Sequence, residues 1–397
     1  MVKPTDDYFH PRNDNPYWNE SAWFSFMVPE RKINGLVYFW HRPNLGLSQA
    51  GVSVWDPSGS ETHNCVFHEF DTVQPLPEGA NMFDFTVDCG LTVRCEEPLA
   101  KFAIDYQNPH CTLQLQWNKV IDPLAATVVA EDTLDPTCEG WGKGHYEQAG
   151  KVNGRLTVAG EQFDIDCFGV RDHSWGVRRM RHDMPRQGYE WAVASENSSF
   201  LTHAINSIPA DRDDLAGTVE DQLHGWLVRD GVRSDITEGK RTVVERAPDG
   251  RPVQIVIEGV DGLGRTLHAE GTCVNALRYP CHNFWLDNWC LTEWSFDGQT
   301  AWGECQDFVG GIGPQDRERA EQFLGSCSFL APSPAIAKQA GEWRYQYRRR
   351  GIALSATDAL IAATAHGHQA KLITGNINHY PMPEVDTIPL PRQQAQR

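Results

Sequence analysis

Residues 162–178 have the sequence QFDIDCFGVRDHSWGVR, which predicts a β-strand. Up to Gly169 the apolar and polar residues alternate, as they do in a half-buried strand. If the alternation continues, the charged and aromatic residues that follow divide between the two faces of the strand. One face carries Asp172, Ser174 and Gly176, and the opposite face carries Arg171, His173 and Trp175.

Asp172 is the candidate general acid in this stretch. A carboxyl group in an apolar interior has a raised pKa and can deliver a proton, whereas one that is paired with Arg171 or Arg178 stays ionised. His173 would orient Asp172 or accept its proton, and the two arginines would control the local electrostatics. The alternative is a structural ion-pair network that ties the end of the strand to a loop, since such networks also perturb pKa values.

The composition is that of a globular protein. With 397 residues and 40% hydrophobic content, the chain is long enough for two or three domains. The N-terminus has no apolar signal segment and no run approaches the roughly 18 apolar residues of a membrane span, so we expect a cytoplasmic protein. The eleven cysteines form no C-x-x-C pair, which favours reduced thiols. The net charge of −18 argues against nucleic acid as a partner, because phosphate binding needs a basic surface.

The charge is distributed unevenly along the chain. Residues 313–397 contain 10 Lys+Arg and 7 Asp+Glu, which leaves 25 and 46 for residues 1–312, so the two parts carry net charges of +3 and −21. The change follows the glycine-rich sequence GGIGP at residues 310–314. We therefore predict a domain boundary at this point.

The part before residue 313 has the pattern of short strands joined by turns. Residues 37–40, 51–55, 91–95, 112–117 and 253–257 are rich in β-branched or aromatic residues and are predicted strands. Residues 56–59, 230–231, 248–250 and 297–298 contain Asp, Gly or Pro and are predicted turns. Roughly eight strands precede residue 122 and roughly ten follow residue 144, too many for one small barrel. We therefore predict two antiparallel β-barrel or sandwich domains, residues 1–135 and 136–312.

Aromatic residues are abundant in the same part of the chain. Thirteen of the fourteen tryptophans precede residue 313, where they would pack the core or line an apolar pocket. The candidate substrate-binding residues are Trp175, Tyr189, Glu190 and Trp191. Glu190 is also the second candidate for a catalytic acid. Alternatively, it is an exposed carboxylate on a strand with no catalytic role.

Common cofactor motifs are missing from the sequence. The histidines before residue 313 never take the H-x-H or H-E-x-x-H spacing of zinc enzymes. The glycine-rich nucleotide-binding motifs and the G-x-S-x-G motif of serine hydrolases are missing as well. We therefore expect no cofactor, and no metal site before residue 313.

Three motifs carry a resemblance to a known superfamily. They are HYEQ at residues 145–148, VNG at residues 152–154 and RDHSWG at residues 171–176. Together they resemble the signature of a two-domain, lipocalin-like superfamily that includes bacterial carotenoid hydratases and the kievitone-hydratase-like and Diels–Alderase-like enzymes of fungi. WNES at residues 18–21 and HRPN at residues 41–44 resemble its uncharacterised bacterial branch, so the similarity covers about residues 15–310.

The resemblance implies a chemistry for Asp172. In the hydratases the matching aspartate protonates an isolated double bond, and water traps the carbocation. Val170 stands where a tyrosine is frequent in the superfamily, which argues against a carotenoid as the substrate. An alkene offers no handle for hydrogen bonds, so its enzyme needs a desolvated acid and aromatic faces that stabilise a cation.

Residues 313–397 have the pattern of helices followed by a strand. Apolar residues at helical spacing predict one helix near residue 320 and a second over residues 336–347, which Gly351 would end. Ser355 is the predicted N-cap of a third helix, and this helix leads to a strand at residues 371–374. The tail is therefore predicted to be an α/β segment.

The tail resembles another known family. Residues 351–365 and 372–380 closely resemble the C-terminal half of PIN-domain ribonucleases, the toxins of bacterial toxin–antitoxin pairs. The resemblance implies a metal-binding role for Asp358, with Asn376 where a further acidic or amide residue is usual. Nothing in residues 1–312 resembles the N-terminal half that supplies the other acids, and two-metal hydrolysis needs several carboxylates. We therefore predict an incomplete tail with a vestigial metal site and a capacity for self-association.

Together these features predict a mainly β protein, with two lipocalin-like β domains followed by an incomplete PIN-like α/β tail at residues 313–397. The predicted function is that of a cofactor-independent lyase or isomerase for a hydrophobic terpenoid, steroid or polyketide-like molecule. Its predicted catalytic residues are Asp172, His173, Arg171 and Arg178. Two alternatives stay open, namely a non-catalytic lipocalin-like carrier with the same pocket and a metal-dependent ribonuclease formed by the tail. A polar group beside Asp172 in the cavity would favour the enzyme, and carboxylates around Asp358 would favour the nuclease.

Overall fold

The computed structural model describes residues 2–70, 72–125, 144–178, 187–205, 219–220, 222–281, 285–310 and 328–389. The chain divides into two units, Met1–Gly313 and Pro314–Arg397. Each unit has hydrophobic clusters of its own. Within the described residues, no helix has the length and apolar character that crossing a lipid bilayer requires.

Twelve strands of the first unit form one antiparallel sheet. They are β1 (Trp18–Val28), β2 (Ile33–Arg42), β3 (Leu47–Trp55), β4 (Phe67–Glu69), β5 (Val73–Pro75), β6 (Phe85–Thr86), β7 (Leu91–Glu97), β8 (Lys101–Asn108), β9 (Cys111–Lys119), β10 (Leu124–Ala125), β11 (Gly144–Val158) and β12 (Glu161–Val177). Their order is β4-β3-β2-β1-β12-β11-β9-β8-β7-β6, with β10 paired to β11 and β5 paired to β3. The strand that carries Asp172, β12, therefore lies in the interior of the sheet between β1 and β11.

Ten further strands form a second antiparallel sheet. They are β13 (Gln187–Ser195), β14 (Ser198–Ile205), β15 (Val219–Glu220), β16 (Gln222–Arg229), β17 (Val232–Arg246), β18 (Pro252–Asp261), β19 (Thr266–Cys273), β20 (Leu277–Cys281), β21 (Trp285–Phe296) and β22 (Gln299–Gly310). Eight of them, in the order β17-β16-β14-β13-β22-β21-β19-β18, close into a barrel because β18 also pairs with β17. Asp230-Gly231 and Asp297-Gly298, both with positive φ, form the tight turns that their sequences predict.

The strands of the second sheet use their two faces differently. Cys290 and Trp294 of β21 belong to the cluster inside the barrel. Trp289 and Leu291 of the same strand belong instead to the large cluster that includes Phe24 of β1. Because side chains alternate along a strand, the outer face of the barrel packs against the first sheet. The candidate site lies between these two packed surfaces.

The predicted fold class is confirmed, because both sheets are antiparallel, one of them closes into a barrel and the tail is α/β. The boundary between two β domains at residues 135 and 136 stays a prediction. The chain passes from one sheet to the other later, between Val177 and Gln187, because β11 and β12 extend the first sheet. The free thiols include Cys65, Cys89, Cys95, Cys111, Cys167, Cys273, Cys290 and Cys305.

The second unit contains two helices and a pair of short parallel strands in its described residues. They are α1 (Pro334–Arg348), α2 (Ala356–Gly367), β23 (Leu372–Thr374) and β24 (Thr387–Pro389). The buried stripe of α1 is the predicted one, with Ile336, Ala340, Trp343 and Tyr347. Ser355 caps α2 as predicted, because its hydroxyl accepts the N–H of Asp358 at 2.9 Å. The helix predicted near residue 320 lies outside the described residues.

We expect a chain that lacks residues 314–397 to retain the fold of the β unit. The physical reason is that Ile336, Trp343, Ala362 and their neighbours form a cluster separate from those of the two sheets. Near-ultraviolet circular dichroism, which reports the packing of the tryptophans, should change little, and the β unit should unfold at an unchanged temperature. Loss of cooperative unfolding in the shortened chain would contradict the prediction.

Candidate active site

Asp172 is held at the centre of the first sheet by its two neighbouring strands. The β1–β12 ladder pairs Ser21 with Ser174 and Phe24 with Arg171. Between these pairs, the backbone N–H of Trp23 donates a hydrogen bond to Oδ1 of Asp172 at 2.9 Å. The carboxyl group is thus fixed by a backbone donor of the adjacent strand and is only 9% exposed.

The side chain of Asp172 borders an apolar cavity between the two sheets. The cavity has a volume of about 70 Å³ and is lined by Ser21, Trp23, Leu36, Tyr38, Ser53, Phe70, Asp172, Arg178, Tyr279, Asp287, Trp289, Gln306 and Phe308. Trp23 and Trp289 meet across it edge to face, with their ring centroids 5.2 Å apart. Six of the lining residues are aromatic, so the cavity offers ring faces to whatever occupies it.

The environment of Asp172 favours its protonated form at neutral pH. Burial is the main cause, and together with repulsion from Glu147 it raises the pKa of Asp172 to about 7. His145, the N–H of Trp23 and Arg178 act in the opposite direction. Arg178 lines the same cavity and donates a hydrogen bond to Ser21 at 3.0 Å. Asp172 can therefore exist as an acid or as a carboxylate near neutral pH.

His145 and Glu147 of β11 lie next to Asp172 on the same face of the sheet. Nδ1 of His145 lies 2.6 Å from Oγ of Ser174 and 3.8 Å from Oδ2 of Asp172. Its Nε2 lies 2.6 Å from Oε1 of Glu147, and Glu147 in turn accepts the hydroxyl proton of Tyr189. Burial lowers the pKa of His145, but attraction to Glu147 and Asp172 outweighs this effect and raises it. The imidazole of His145 therefore lies between the carboxyl groups of Glu147 and Asp172, which favour its protonated form.

Asp287 is a second buried carboxyl group of the cavity, and it comes from β21 of the opposite sheet. It is 2% exposed, and its Oδ1 has no hydrogen-bond partner among the described residues. Burial and repulsion from Cys305, Asp307 and Glu304 raise the pKa of Asp287 well above its ordinary value. Burial therefore favours the neutral, protonated form of Asp287.

Arg171, His173 and Trp175 lie on the other face of β12, as the alternation predicts. Arg171 forms an ion pair with Asp7 at 3.0 Å, and Trp175 stacks on His10 with ring centroids 3.8 Å apart. Nδ1 of His173 contacts the backbone oxygen of Asp6 at 2.8 Å. Burial lowers the pKa of His173 more than Glu20 raises it. The expected pairing of Asp172 with His173 is thus corrected, because neighbouring residues of a strand face opposite sides, and the imidazole beside Asp172 is that of His145.

The other candidate binding residues do not line the cavity. Glu190 points into the barrel, where Nε of Arg241 contacts its Oε1 at 2.5 Å. Trp191 is fully buried and donates its indole N–H to Glu304 at 3.2 Å. Tyr189 contacts members of the site from outside the cavity, through its hydrogen bond to Glu147 and an edge-to-face contact with Trp23 at 6.0 Å between ring centroids. The expectation of an exposed carboxylate at position 190 is corrected too, since Glu190 is completely buried.

His145, Glu147 and Asp287 are members of the site that were not predicted from the sequence. His145 and Glu147 could have been predicted, since both belong to the HYEQ motif at residues 145–148. Asp287 lies in the sequence WLDNW at residues 285–289, with a tryptophan two residues away on either side. The sequence YEW at residues 189–191 likewise places an acid between two aromatic residues. An acid flanked by aromatic residues was therefore the signal for Asp287.

Asp358, the predicted metal ligand of the tail, is held by hydrogen-bonding groups. Its carboxylate accepts the hydroxyl of Ser355 at 2.7 Å and that of Tyr380 at 3.3 Å, and it lies 3.4 Å from Nδ1 of His379. Among the residues that the structure describes, Asp358 belongs to no group of three potential metal ligands. The ligand role of Asp358 stays a prediction.

Residues 3–307 match the model of a protein family described as a domain of unknown function, DUF7064. The chain belongs to the DUF7064 family. The match spans both β sheets, so the cavity with Asp172 and Asp287 lies within the DUF7064 region.

Two crystal structures resemble the DUF7064 region. A protein from Nitrosomonas europaea assigned as AttH has a TM-score of 0.55 and 13% identity, and the match covers 79% of this chain and 97% of that chain. Kievitone hydratase from Nectria haematococca has a TM-score of 0.46 and 11% identity, and that match covers 74% of this chain and 89% of the other. The first similarity confirms the predicted fold.

The tail that follows the DUF7064 region has relatives of a different kind. Residues 310–384 match the PIN domain model. Ribonuclease VapC10 of Mycobacterium tuberculosis is 33% identical over 76 residues, which amount to 19% of this chain and 57% of the ribonuclease. The predicted resemblance to PIN-domain toxins is confirmed, and the chain spans little more than half the length of this relative.

Proposed function

We propose that the DUF7064 region is a hydro-lyase or isomerase that transfers a proton from Asp172 to the double bond of an apolar substrate. One observation carries the proposal: two buried carboxyl groups from opposite sheets, Asp172 and Asp287, line one aromatic cavity. A carrier of apolar molecules needs only the apolar walls. Burying two carboxyl groups has a free-energy cost, which supports a chemical role for them.

The residues around Asp172 suit it to donate the proton. As a C–H bond forms at the alkene, the O–H bond of Asp172 breaks and a carboxylate remains. The N–H of Trp23 and the positive charges of His145 and Arg178 stabilise that carboxylate. Water then adds to the carbocation, and its released proton returns to Asp172. In an isomerase the carboxylate of Asp172 instead takes a proton from a carbon next to the carbocation, so that the double bond forms at a new position and the acid is restored.

The lining residues suit the cationic intermediate. Faces of Trp23, Trp289 and Phe308 lie at the cavity, and aromatic faces stabilise a cation in a desolvated site. Asp287, which stays neutral, can donate a hydrogen bond to the adding water or to the hydroxyl group of the product. A cavity of about 70 Å³ is small beside the roughly 300–1,000 Å³ of ligand pockets, so it encloses the reacting double bond and not the whole of a terpenoid-sized molecule.

Isotope incorporation tests the proposed reaction. The full chain is incubated in D₂O and in H₂¹⁸O with a panel of isoprenoid alkenes and the corresponding tertiary alcohols. We expect at least one substrate to gain deuterium at carbon, and a hydratase reaction to add ¹⁸O. Binding of panel members, measured by quenching of tryptophan fluorescence, without isotope uptake by any of them would favour the carrier.

The pH dependence of this reaction follows from Asp172. Because its pKa is raised to about 7 and the protonated form is active, kcat/KM should be constant at low pH and fall as the pH rises through 7. His145→Gln removes a positive charge beside Asp172, so the falling limb should move to higher pH. Because His145 and Asp172 influence each other's pKa, the limb reports both groups and not one residue. A limb that moves to lower pH in His145→Gln would contradict the assignment.

A further inference from the structure

A second group of titratable side chains lies on the opposite face of β12 from Asp172. It consists of His10 from the N-terminal segment, Glu20 from β1 and His173 from β12, and one potential ligand atom of each lies within 4.8 Å of the other two. Glu20 and His173 are fully buried, and the side chain of His10 is 12% exposed. The three residues come from separate segments, so no short sequence motif contains them.

The hydrogen bonds of His173 fix the form of its imidazole ring. Its Nδ1 lies 2.8 Å from the backbone oxygen of Asp6, and a carbonyl oxygen can only accept, so Nδ1 carries the proton. In the neutral ring Nε2 then presents its lone pair to Oε2 of Glu20 at 3.4 Å, and it has no hydrogen-bond partner among the described residues. An imidazole that donates one N–H to a backbone carbonyl and offers the other nitrogen is the form that binds metals.

Glu20 is fixed in a similar way. Its Oε1 accepts the backbone N–H of His10 at 2.9 Å and the indole N–H of Trp18 at 3.3 Å. Its Oε2 faces Nδ1 of His10 at 3.1 Å and Nε2 of His173 at 3.4 Å. One carboxylate oxygen is therefore held by outer partners, and the other is shared by the two imidazoles.

The separations of the two imidazole nitrogens from the carboxylate oxygen match those of a metal centre, and all three ligand atoms lie within 4.8 Å of one another. Ligands at about 2.0–2.2 Å from a tetrahedral Zn²⁺ lie roughly 3.3–3.5 Å from one another. The distances of 3.1 and 3.4 Å from Oε2 of Glu20 are close to that value. His10 is also held in place, because its ring is stacked on Trp175 and its Nε2 lies 3.7 Å from a carboxylate oxygen of Asp6.

We propose that His10, Glu20 and His173 bind a divalent transition-metal ion. Two imidazoles and a carboxylate favour Zn²⁺, with a water molecule as the fourth ligand. The ion links the N-terminal segment to β1 and β12, so it stabilises the fold. The site is separate from the cavity at Asp172, and the proposal does not depend on the proposed reaction.

Metal analysis of the full chain tests the site. The protein is stripped with a chelator, dialysed against ZnCl₂ and analysed for bound zinc, and the visible d–d absorption of added Co²⁺ reports the coordination geometry. We expect one Zn²⁺ per chain and tetrahedral Co²⁺ bands. At a free Zn²⁺ concentration of about 100 times Kd, the melting temperature should rise by roughly 5 °C.

The variant His10→Gln provides the decisive comparison, because His10 lies outside the strands and its loss should leave the sheets folded. We expect its Zn²⁺ affinity to fall by more than the roughly 10–100-fold that the loss of an outer partner of a metal ligand costs. His110→Gln, at an exposed histidine, is the matched control and should bind as the unaltered chain does. Glu20→Gln should lose binding as well.

Two results would overturn the proposal. One is a folded chain with neither bound zinc nor a zinc-dependent melting temperature, which would make the group an ion pair between Glu20 and a doubly protonated His173. The other is unchanged zinc binding in both His10→Gln and Glu20→Gln, which would place the ion elsewhere.

Discussion

Asp172→Asn should lower kcat by roughly 10²–10⁴-fold while substrate binding is kept, because a general acid contributes about this much to the rate. The amide has the size of the carboxyl group and can still accept the N–H of Trp23, so the cavity keeps its shape. Its N–H protons are too weakly acidic to protonate a double bond. Deuterium uptake from D₂O measures the rate, and fluorescence quenching measures binding.

Asp287→Asn is the matched control in the same cavity. Because burial keeps Asp287 neutral, the amide replaces a group of the same charge and similar shape, and the rate should stay within about tenfold. If Asp287→Asn lost the activity and Asp172→Asn kept it, the roles of the two acids would be reversed. Equal loss of binding and rate in Asp172→Asn would make Asp172 a structural residue.

Arg241→Met should destabilise the protein by about 3–5 kcal/mol, because it removes the cation from a completely buried ionic network. Inside the barrel, Arg241 contacts Glu190 at 2.5 Å, Glu220 at 3.0 Å and Asp307 at 2.9 Å. Asp307 keeps a second cation, Arg246 at 2.6 Å, but Glu190 and Glu220 would lose theirs. The free energy of unfolding in urea measures the effect.

Lys240→Met, at the adjacent position of β17, is the control for this change. Lys240 forms an ion pair with Glu258 at 2.9 Å, but both side chains are about half exposed, so its loss should cost no more than about 1 kcal/mol. The two substitutions remove the same charge one residue apart, from the inside and the outside of the barrel. Similar losses of stability for both would contradict the importance of the buried network.

The alternation of residues in β12 was predictable from the sequence, and so were the helices α1 and α2. Period-two spacing divided Asp172 and Ser174 from Arg171 and His173, and the structure has them on opposite faces. The spacing of Ile336, Ala340, Trp343 and Tyr347 predicted the buried stripe of α1. These features depend on local periodicity, which a sequence contains in full.

The partners of these residues could not be predicted, because they depend on which strands pair. His145 lies beside Asp172 only because β11 pairs with β12 in a register that places Glu147 opposite Asp172. Asp287 reaches the cavity only because the outer face of the barrel packs on the first sheet. Contacts over such sequence separations follow from the topology and not from any local pattern.

The position of β12 between two environments has a consequence for how this gene can change. The even-numbered residues include Asp172, which lines the cavity, and Ser174, which contacts His145, whereas the odd-numbered Arg171 and His173 contact the N-terminal segment. Loss or gain of one codon within the strand would exchange the two sets, and a single event would disable both surfaces. Length variation among relatives should therefore be confined to positions outside β12.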